Sequence, residues 1–351
     1  MKVGVITMTV FKNKETGRWE VYARYKNYKN EIKQKRKTGF ERRKDAQQWE
    51  EQFLNKCQHD LTLEMALEEY LTYMQLKRRS STWRNKKWYS KNLLLMKDLF
   101  IEDITPATIL AWQNDLKSMG KTNNTINMST EILYSIYQYN CKMHNKQYNP
   151  VQAIERLEVD KKEMQIWTVE EFNKFTALLP SHEQVIAFRI LFYSGIRYGE
   201  LLGLTIEDIH DDYIDINKSY DYRDKMHVKT KNKQSIRKVY MPKIIMNEIR
   251  DYISTFYKPT PALRLFQHST NTWLQSQMKR TCAKHHLKRI RVHDLRHSHA
   301  SMLINNGVDV YIVSKRLGHK NILTTINVYS HLYEERETEV LEVLDSLVEN
   351  E

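Results

Sequence analysis

Four short stretches decide how this chain reads: Ser194-Gly-Ile-Arg-Tyr-Gly-Glu-Leu201, His293-Asp-Leu-Arg-His297, Leu317-Gly-His319 and Asn327-Val-Tyr-Ser-His331. Arg197 follows Gly195, a helix-ending residue, so its guanidinium leaves a tight turn and not a solvated helix face. His293 and Arg296 are three apart at a helix start and share a face once the first turn has formed. Gly318 closes a helix over Val310–Leu317 and sets His319 just beyond it. Tyr329 follows ten residues later.

These residue types suit transfer of a phosphodiester. The ester is already anionic, and attack on it builds more charge on its non-bridging oxygens. Planar, permanently charged Arg forks clamp that charge best. The nucleophile must lose a proton and the departing sugar oxygen must gain one, work for which His and Lys are suited near neutral pH. A Tyr hydroxyl, with an ordinary pKa near ~10, becomes a competent nucleophile only among cations and a base. Taken singly the stretches carry little weight, because a lone Arg after Gly is ordinarily a surface residue and His-x-x-Arg recurs by chance.

As an ordered set they resemble the catalytic domain of the tyrosine recombinase, or phage integrase, family. Gly195, Arg197 and Glu200 match its Gly-x-Arg-x-x-Glu text, and His293, Arg296, His319 and Tyr329 match directly. The resemblance spans about residues 165–335. It implies Arg197, Lys231, His293, Arg296, His319 and Tyr329 as the catalytic set, with Tyr329 the nucleophile that forms a 3′-phosphotyrosine. The family lysine lies in a hairpin, here Lys229-Thr-Lys231-Asn-Lys233-Gln-Ser235-Ile-Arg237. Counting back from Arg237 selects Lys231; reading the Lys-Thr pair selects Lys229. Lys231 is preferred. No metal and no nucleotide cofactor is implied.

Outward from these stretches the pattern predicts a multidomain α+β chain. The last domain, 165–351, is mainly helical. Thr168 and Glu171 form a capping box, a helix over Gln184–Tyr193 ends at Gly195, and Tyr213–Asn217, His227–Lys231 and Ser235–Met241 read as three short strands of a small antiparallel sheet. Residues 61–160 read as helices, among them one from the Ser80-Ser-Thr82 cap to Leu99 and one over Asn123–His144. They resemble the family's helical, SAM-like core-binding domain. Residues 1–60 read as a small three-stranded sheet followed by a helix over Arg43–Cys57, similar to the arm-binding module of integrases from phages and conjugative elements.

Charge supports this layout. Of 351 residues, 56 are Lys or Arg and 43 Asp or Glu, a net of +13, which biases the chain toward polyanions. More than half of the excess lies in residues 1–60, with fifteen Lys/Arg against eight Asp/Glu. One sheet face can pack on the helix while the other presents cations to DNA, from Arg18, Arg24, Lys26, Lys33, Lys35 and Lys37. Lys77–Lys91 holds seven cations and no acid among Trp83, Trp88 and Tyr89, so Arg84, Lys86 and Lys87 are further candidates for the phosphate backbone. Three dispersed cysteines form no CxxC pair and suit a reducing cytoplasm. No apolar run is long enough for a membrane span and no leader is recognisable, so the expected setting is a bacterial cytoplasm, on nucleoid DNA.

The partners implied are core and arm attachment sites on double-stranded DNA and three further copies in a tetramer, with room for an excisionase and a host DNA-bending protein. The acidic tail from Tyr333, with an apolar stripe from Val340 to Val348, suits a helix docked on its own domain or on a neighbour. Two rivals remain at this level. A type IB topoisomerase shares the Arg, Lys, His and Tyr chemistry, and a non-catalytic regulator could use residues 294–320 as a helix-turn-helix.

Overall fold

The computed structural model describes residues 9–26, 32–57, 61–77, 80–144, 148–160, 164–229, 235–267 and 272–329, with short pieces at 344–345 and 347–348. The chain gathers into two compact units, residues 1–161 and 162–351. Among the described residues no helix is long and apolar enough to cross a membrane.

The first unit opens with a meander of β1 (Thr9–Lys12), β2 (Trp19–Lys26) and β3 (Ile32–Phe40), all antiparallel. Helix α1 (Arg43–Cys57) lies on one face. Val21 and Ala23 are buried there against Ala46 and Phe53. The register sets Lys37 opposite Val21, Lys35 opposite Ala23, Arg36 opposite Tyr22 and Gln34 opposite Arg24. Residues paired across antiparallel strands share a face, so the cations divide. Lys35 and Lys37 lie on the α1 side, whereas Arg24 and Arg36 lie on the reverse side. This corrects the expectation of a single cationic face, and the cause is strand parity. On the reverse side Phe11 stacks on Tyr22 at 5.3 Å, and Arg36 lies over Tyr22 while pairing with the buried Glu20 at 2.7 Å.

Four helices complete the unit: α2 (Leu63–Lys77), α3 (Ser80–Tyr89), α4 (Pro106–Ser118) and α5 (Asn123–His144). Helix α3 stops at Tyr89 and tightens into a 3-10 segment, Ser90–Met96, in place of the continuous helix to Leu99 that the pattern predicts. Within that segment the Asn92 backbone carbonyl accepts from the Trp112 indole at 2.9 Å, and the Asn92 side-chain amide donates to the Ser129 hydroxyl. Phe100 packs with Phe53 in the core of the sheet, and Lys35 pairs with Asp98. The sheet and the helices thus share packing inside one unit.

The second unit is built round α7 (His182–Ser194), which is apolar on nearly every side and therefore central. Helix α6 (Val169–Thr176), capped by Thr168 and Glu171, lays Phe172 and Phe175 against Phe188 and Phe192. Helix α8 (Tyr198–Gly203) follows. Four short strands come next: β4 (Tyr213–Ile216), β5 (Lys218–Asp221), β6 (Met226–Lys229) and β7 (Arg237–Tyr240). Strand β4 pairs with β7, and β5 with β6, so the sequence pattern missed β5 and what forms is two two-stranded ladders. Lys218-Ser-Tyr-Asp221 carries little alternation for sequence to detect. Helices α9 (Lys243–Ser254), α10 (Trp273–Lys284), α11 (Asp294–Asn305), α12 (Val310–Leu317) and α13 (Leu323–Tyr329) follow. A satellite core of Ala300, Ile304, Val313, Leu317 and Tyr329 joins the last three.

Candidate active site

Helix α7 ends at Gly195 in the left-handed conformation, φ 66°. A Cβ there would meet the His299 ring at 2.5 Å and Leu317 at 2.9 Å, so both conformation and close approach demand glycine. The turn delivers Arg197 to the N-terminus of α8. Its backbone N–H and its guanidinium both donate to Glu200, at 3.0 and 2.9 Å, and a longer contact of 3.5 Å reaches the Gly318 carbonyl. The Arg197 side chain stays 39% exposed, while Glu200 is buried. Arg237, at the start of β7, donates to the same carboxylate at 2.9 Å and to the Arg316 carbonyl at 2.6 Å. Burial by itself would raise the Glu200 carboxyl, but Arg237 and Arg197 outweigh it and hold the group below the usual carboxylate range.

Arg296 comes from the first turn of α11 and is only 4% exposed. It donates to the Gly195 and Leu317 carbonyls, at 2.7 Å each, and so spans the ends of α7 and α12. Burial, then the Arg197 guanidinium, push it down to about 9. Two guanidiniums, from Arg197 and Arg237, thus pair with a single buried carboxylate, and the Arg296 guanidinium lies close enough to feel all three charges. Such a cluster carries excess positive charge in a poorly solvated place, which an incoming anion would relieve.

Two of the His residues chosen from sequence border this cluster. His293 precedes α11, and burial with the neighbouring Arg296 pushes it down. His319 lies just past Gly318, which ends α12 in the left-handed conformation, and shares a 2.8 Å hydrogen bond with the Thr325 hydroxyl. Burial, then Arg296 and Arg197, push it down to about 4. Tyr329 ends α13, is 1% exposed, and meets His297 Nδ1 at 2.8 Å. Burial raises its hydroxyl above the ordinary value, and Arg296 opposes the shift.

The structure thus draws Arg197, His293, Arg296, His319 and Tyr329 to one region of the second unit. Lys231 lies outside the described residues, as does the 230–234 hairpin; the backbone of Lys229 pairs with Lys218 in the β5–β6 ladder. His297 and Arg237 were not chosen from sequence. His297 stood next to the His-x-x-Arg text and Arg237 ended the hairpin text, but neither position shows which partner folding brings to it.

In the first unit Arg18, Arg24, Lys37 and Lys87 are exposed, and Arg84 is half-buried. Lys35 is engaged with Asp98 and Glu64. Lys86 Nζ reaches the Tyr70 hydroxyl and, at 3.2 Å, the Ser135 hydroxyl. Lys26 and Lys33 sit in strands, and their side chains lie outside the described set.

Comparison with known proteins gives the family and the fold. Residues 162–336 match the phage integrase family and residues 9–57 an arm DNA-binding domain. The ICEBs1 integrase of Bacillus subtilis is 30% identical over 308 residues, which cover 80% of this chain and 81% of that protein. Tyrosine recombinase XerD of Oceanobacillus iheyensis is 26% identical, covering 81% and 88%. The Tn1549 transposon integrase in complex with circular intermediate DNA superposes with a TM-score of 0.68 at 18% identity, over 80% of this chain and 99% of that one. A lambda integrase dimer bound to a COC′ core site superposes with a TM-score of 0.60 at 15% identity, over 93% and 96%. The chain belongs to the phage integrase family of tyrosine recombinases, enzymes that break, exchange and rejoin DNA strands.

Proposed function

We propose that this recombinase is the integrase of a mobile genetic element, with Tyr329 as the residue that joins covalently to DNA. The observation that carries the reading is the convergence of Arg197 and Arg296, a charge-excess pair of guanidiniums, on the region where the Tyr329 hydroxyl is held. Arg197 and Arg296 clamp the non-bridging oxygens of the scissile phosphate as negative charge grows on them. Tyr329 Oη attacks phosphorus, the bond to the 5′ oxygen breaks, and that oxygen leaves with a proton from a site acid. Lys231, His293 and His319 are the groups proposed for these proton movements. The phosphotyrosine keeps the energy of the ester, so a 5′ hydroxyl from a partner strand can reverse the step without ATP.

Residues 165–351 are proposed to carry the chemistry, 61–160 to grip the core site, and 1–60 to read arm sites. The match of residues 9–57 to an arm DNA-binding domain supports the last assignment. The first-unit cations are proposed as phosphate contacts, with Arg24, Arg36 and the Phe11–Tyr22 platform on one face of the sheet. The assembly proposed is a tetramer on paired sites in the bacterial cytoplasm, helped by an excisionase and a host DNA-bending protein. A lambda integrase tetramer bound to a Holliday junction, of like fold (TM-score 0.58), supports the tetramer.

The test is a nicked core-site substrate that traps the covalent intermediate. The wild-type chain is expected to form a protein–DNA adduct, and Tyr329→Phe to bind the site yet form none. An adduct with the Phe variant would show that another residue is the nucleophile. Exchange between two separate sites then distinguishes a recombinase from an enzyme that only relaxes DNA.

A further inference from the structure

The Tyr329 hydroxyl, buried at 1% exposure, meets a side chain that the catalytic set does not contain: His297 Nδ1, at 2.8 Å. We infer that His297 is the positioning residue of the nucleophile, accepting the Tyr329 hydroxyl proton in a hydrogen bond that aims Oη at the phosphate held by Arg296. The inference rests on Tyr329 being the nucleophile.

Protonation state and tautomer together give the bond its direction. Burial, then His293, keep His297 far below the ordinary imidazole range, at about 4, so the ring is neutral at physiological pH. Burial likewise keeps the Tyr329 hydroxyl protonated. A neutral ring in its Nε2–H tautomer presents the Nδ1 lone pair to the protonated phenol, and that tautomer, with Nδ1 accepting, is the one the inference assigns.

The location explains why the aim is reproducible. Arg296 and His297 are consecutive residues in the first turn of α11, one tied to the α7 and α12 carbonyls and the other to α13. A single rigid turn therefore sets the distance between anion clamp and attacking oxygen. The His293 ring stands perpendicular to His297 at 5.3 Å and restricts its rotation.

The experiment measures single-turnover adduct formation on the nicked core site beside core-site affinity, for His297→Asn, His297→Gln and His297→Leu in the full chain. The Asn side-chain oxygen falls near the place of Nδ1, whereas Gln extends toward Nε2. Asn is expected to keep the rate within about threefold. Gln and Leu are expected to lose roughly 10–10² without weakening site binding, the cost of a misplaced reacting atom. Equal rates for Asn and Gln, or a Leu variant as fast as wild type, would overturn the inference. Should Leu fail to bind DNA, the Asn and Gln pair decides. Tyr329→Phe is run alongside. If that variant still forms adduct, the nucleophile reading fails; if it is inert, the His297 results bear on this inference alone.

Discussion

The two catalytic-set arginines differ in how they are held, and the difference has consequences. Arg296 is buried and spends two N–H groups on carbonyls at the ends of α7 and α12, so it both clamps charge and ties helices together. Arg197 is more exposed and rests on Glu200. Alanine at either position should cut cleavage by ~10²–10³, the usual loss for one preorganised donor at a charged transition state. Arg296→Ala should lower the melting temperature more than Arg197→Ala, because it orphans two buried carbonyls whereas Glu200 keeps Arg237 when Arg197 is lost. Core-site cleavage with thermal unfolding checks both. Lys229→Ala and Lys231→Ala compared in the same assay settle the hairpin register, with the larger loss expected for Lys231.

At the scale of elements, the turn after α7 and the face of the small sheet each carry a prediction. Gly195→Ala places a Cβ 2.5 Å from the His299 ring at a positive φ, whereas Gly307→Ala, φ 78°, has open space around it. The first should cost well over 2 kcal/mol, from strain and clash together, and the second about 1 kcal/mol from strain alone. Urea unfolding of the two variants tests this, and equal losses would mean the turn is not packed as described. On the sheet, Arg24 is exposed on the outer face, while Lys86 of α3 is tied to Tyr70 and Ser135. If Arg24 meets an arm-site phosphate, Arg24→Ala should reduce the slope of log K against log salt by about 1, and Lys86→Ala should leave the slope on arm DNA unchanged. Salt titrations with arm-site DNA decide it.

Across the second unit, burial keeps several imidazoles neutral: His299 is pushed to about 3, His297 and His319 to about 4. In the unfolded chain these rings take up protons below about pH 6.5, while the folded rings do not. The unfolded state therefore binds more protons between about 6.5 and 4, and stability falls as pH drops through that window. Unfolding free energies from urea titrations at pH 7.5 and pH 5 should differ by an amount on the order of a few kcal/mol, with the lower value and the lower midpoint at pH 5. A midpoint that does not move would mean these rings are solvated in the folded protein. The whole-chain net charge of +13, concentrated in residues 1–60, should act in DNA association and not in this stability term.

What the sequence determined by itself is local or compositional. The Thr168–Glu171 capping box, the left-handed ends at Gly195 and Gly318, the placing of His319 just past a helix, and the three-stranded start were all legible, because each signal lies within one helical turn or one strand repeat. The order of Arg, His-x-x-Arg, His and Tyr named the chemistry for the same reason, since residue type carries it. Only the tertiary structure decided who meets whom. Arg296 reaches Gly195 across 101 positions of chain, and Arg237 reaches Glu200 across 37. The pairing of β4 with β7, the division of the sheet cations between two faces, and the meeting of His297 with Tyr329 belong to the same class. Contacts of that kind arise when apolar cores close and bring distant backbone together, and no periodicity in the sequence records which side chains then come within 3 Å of each other.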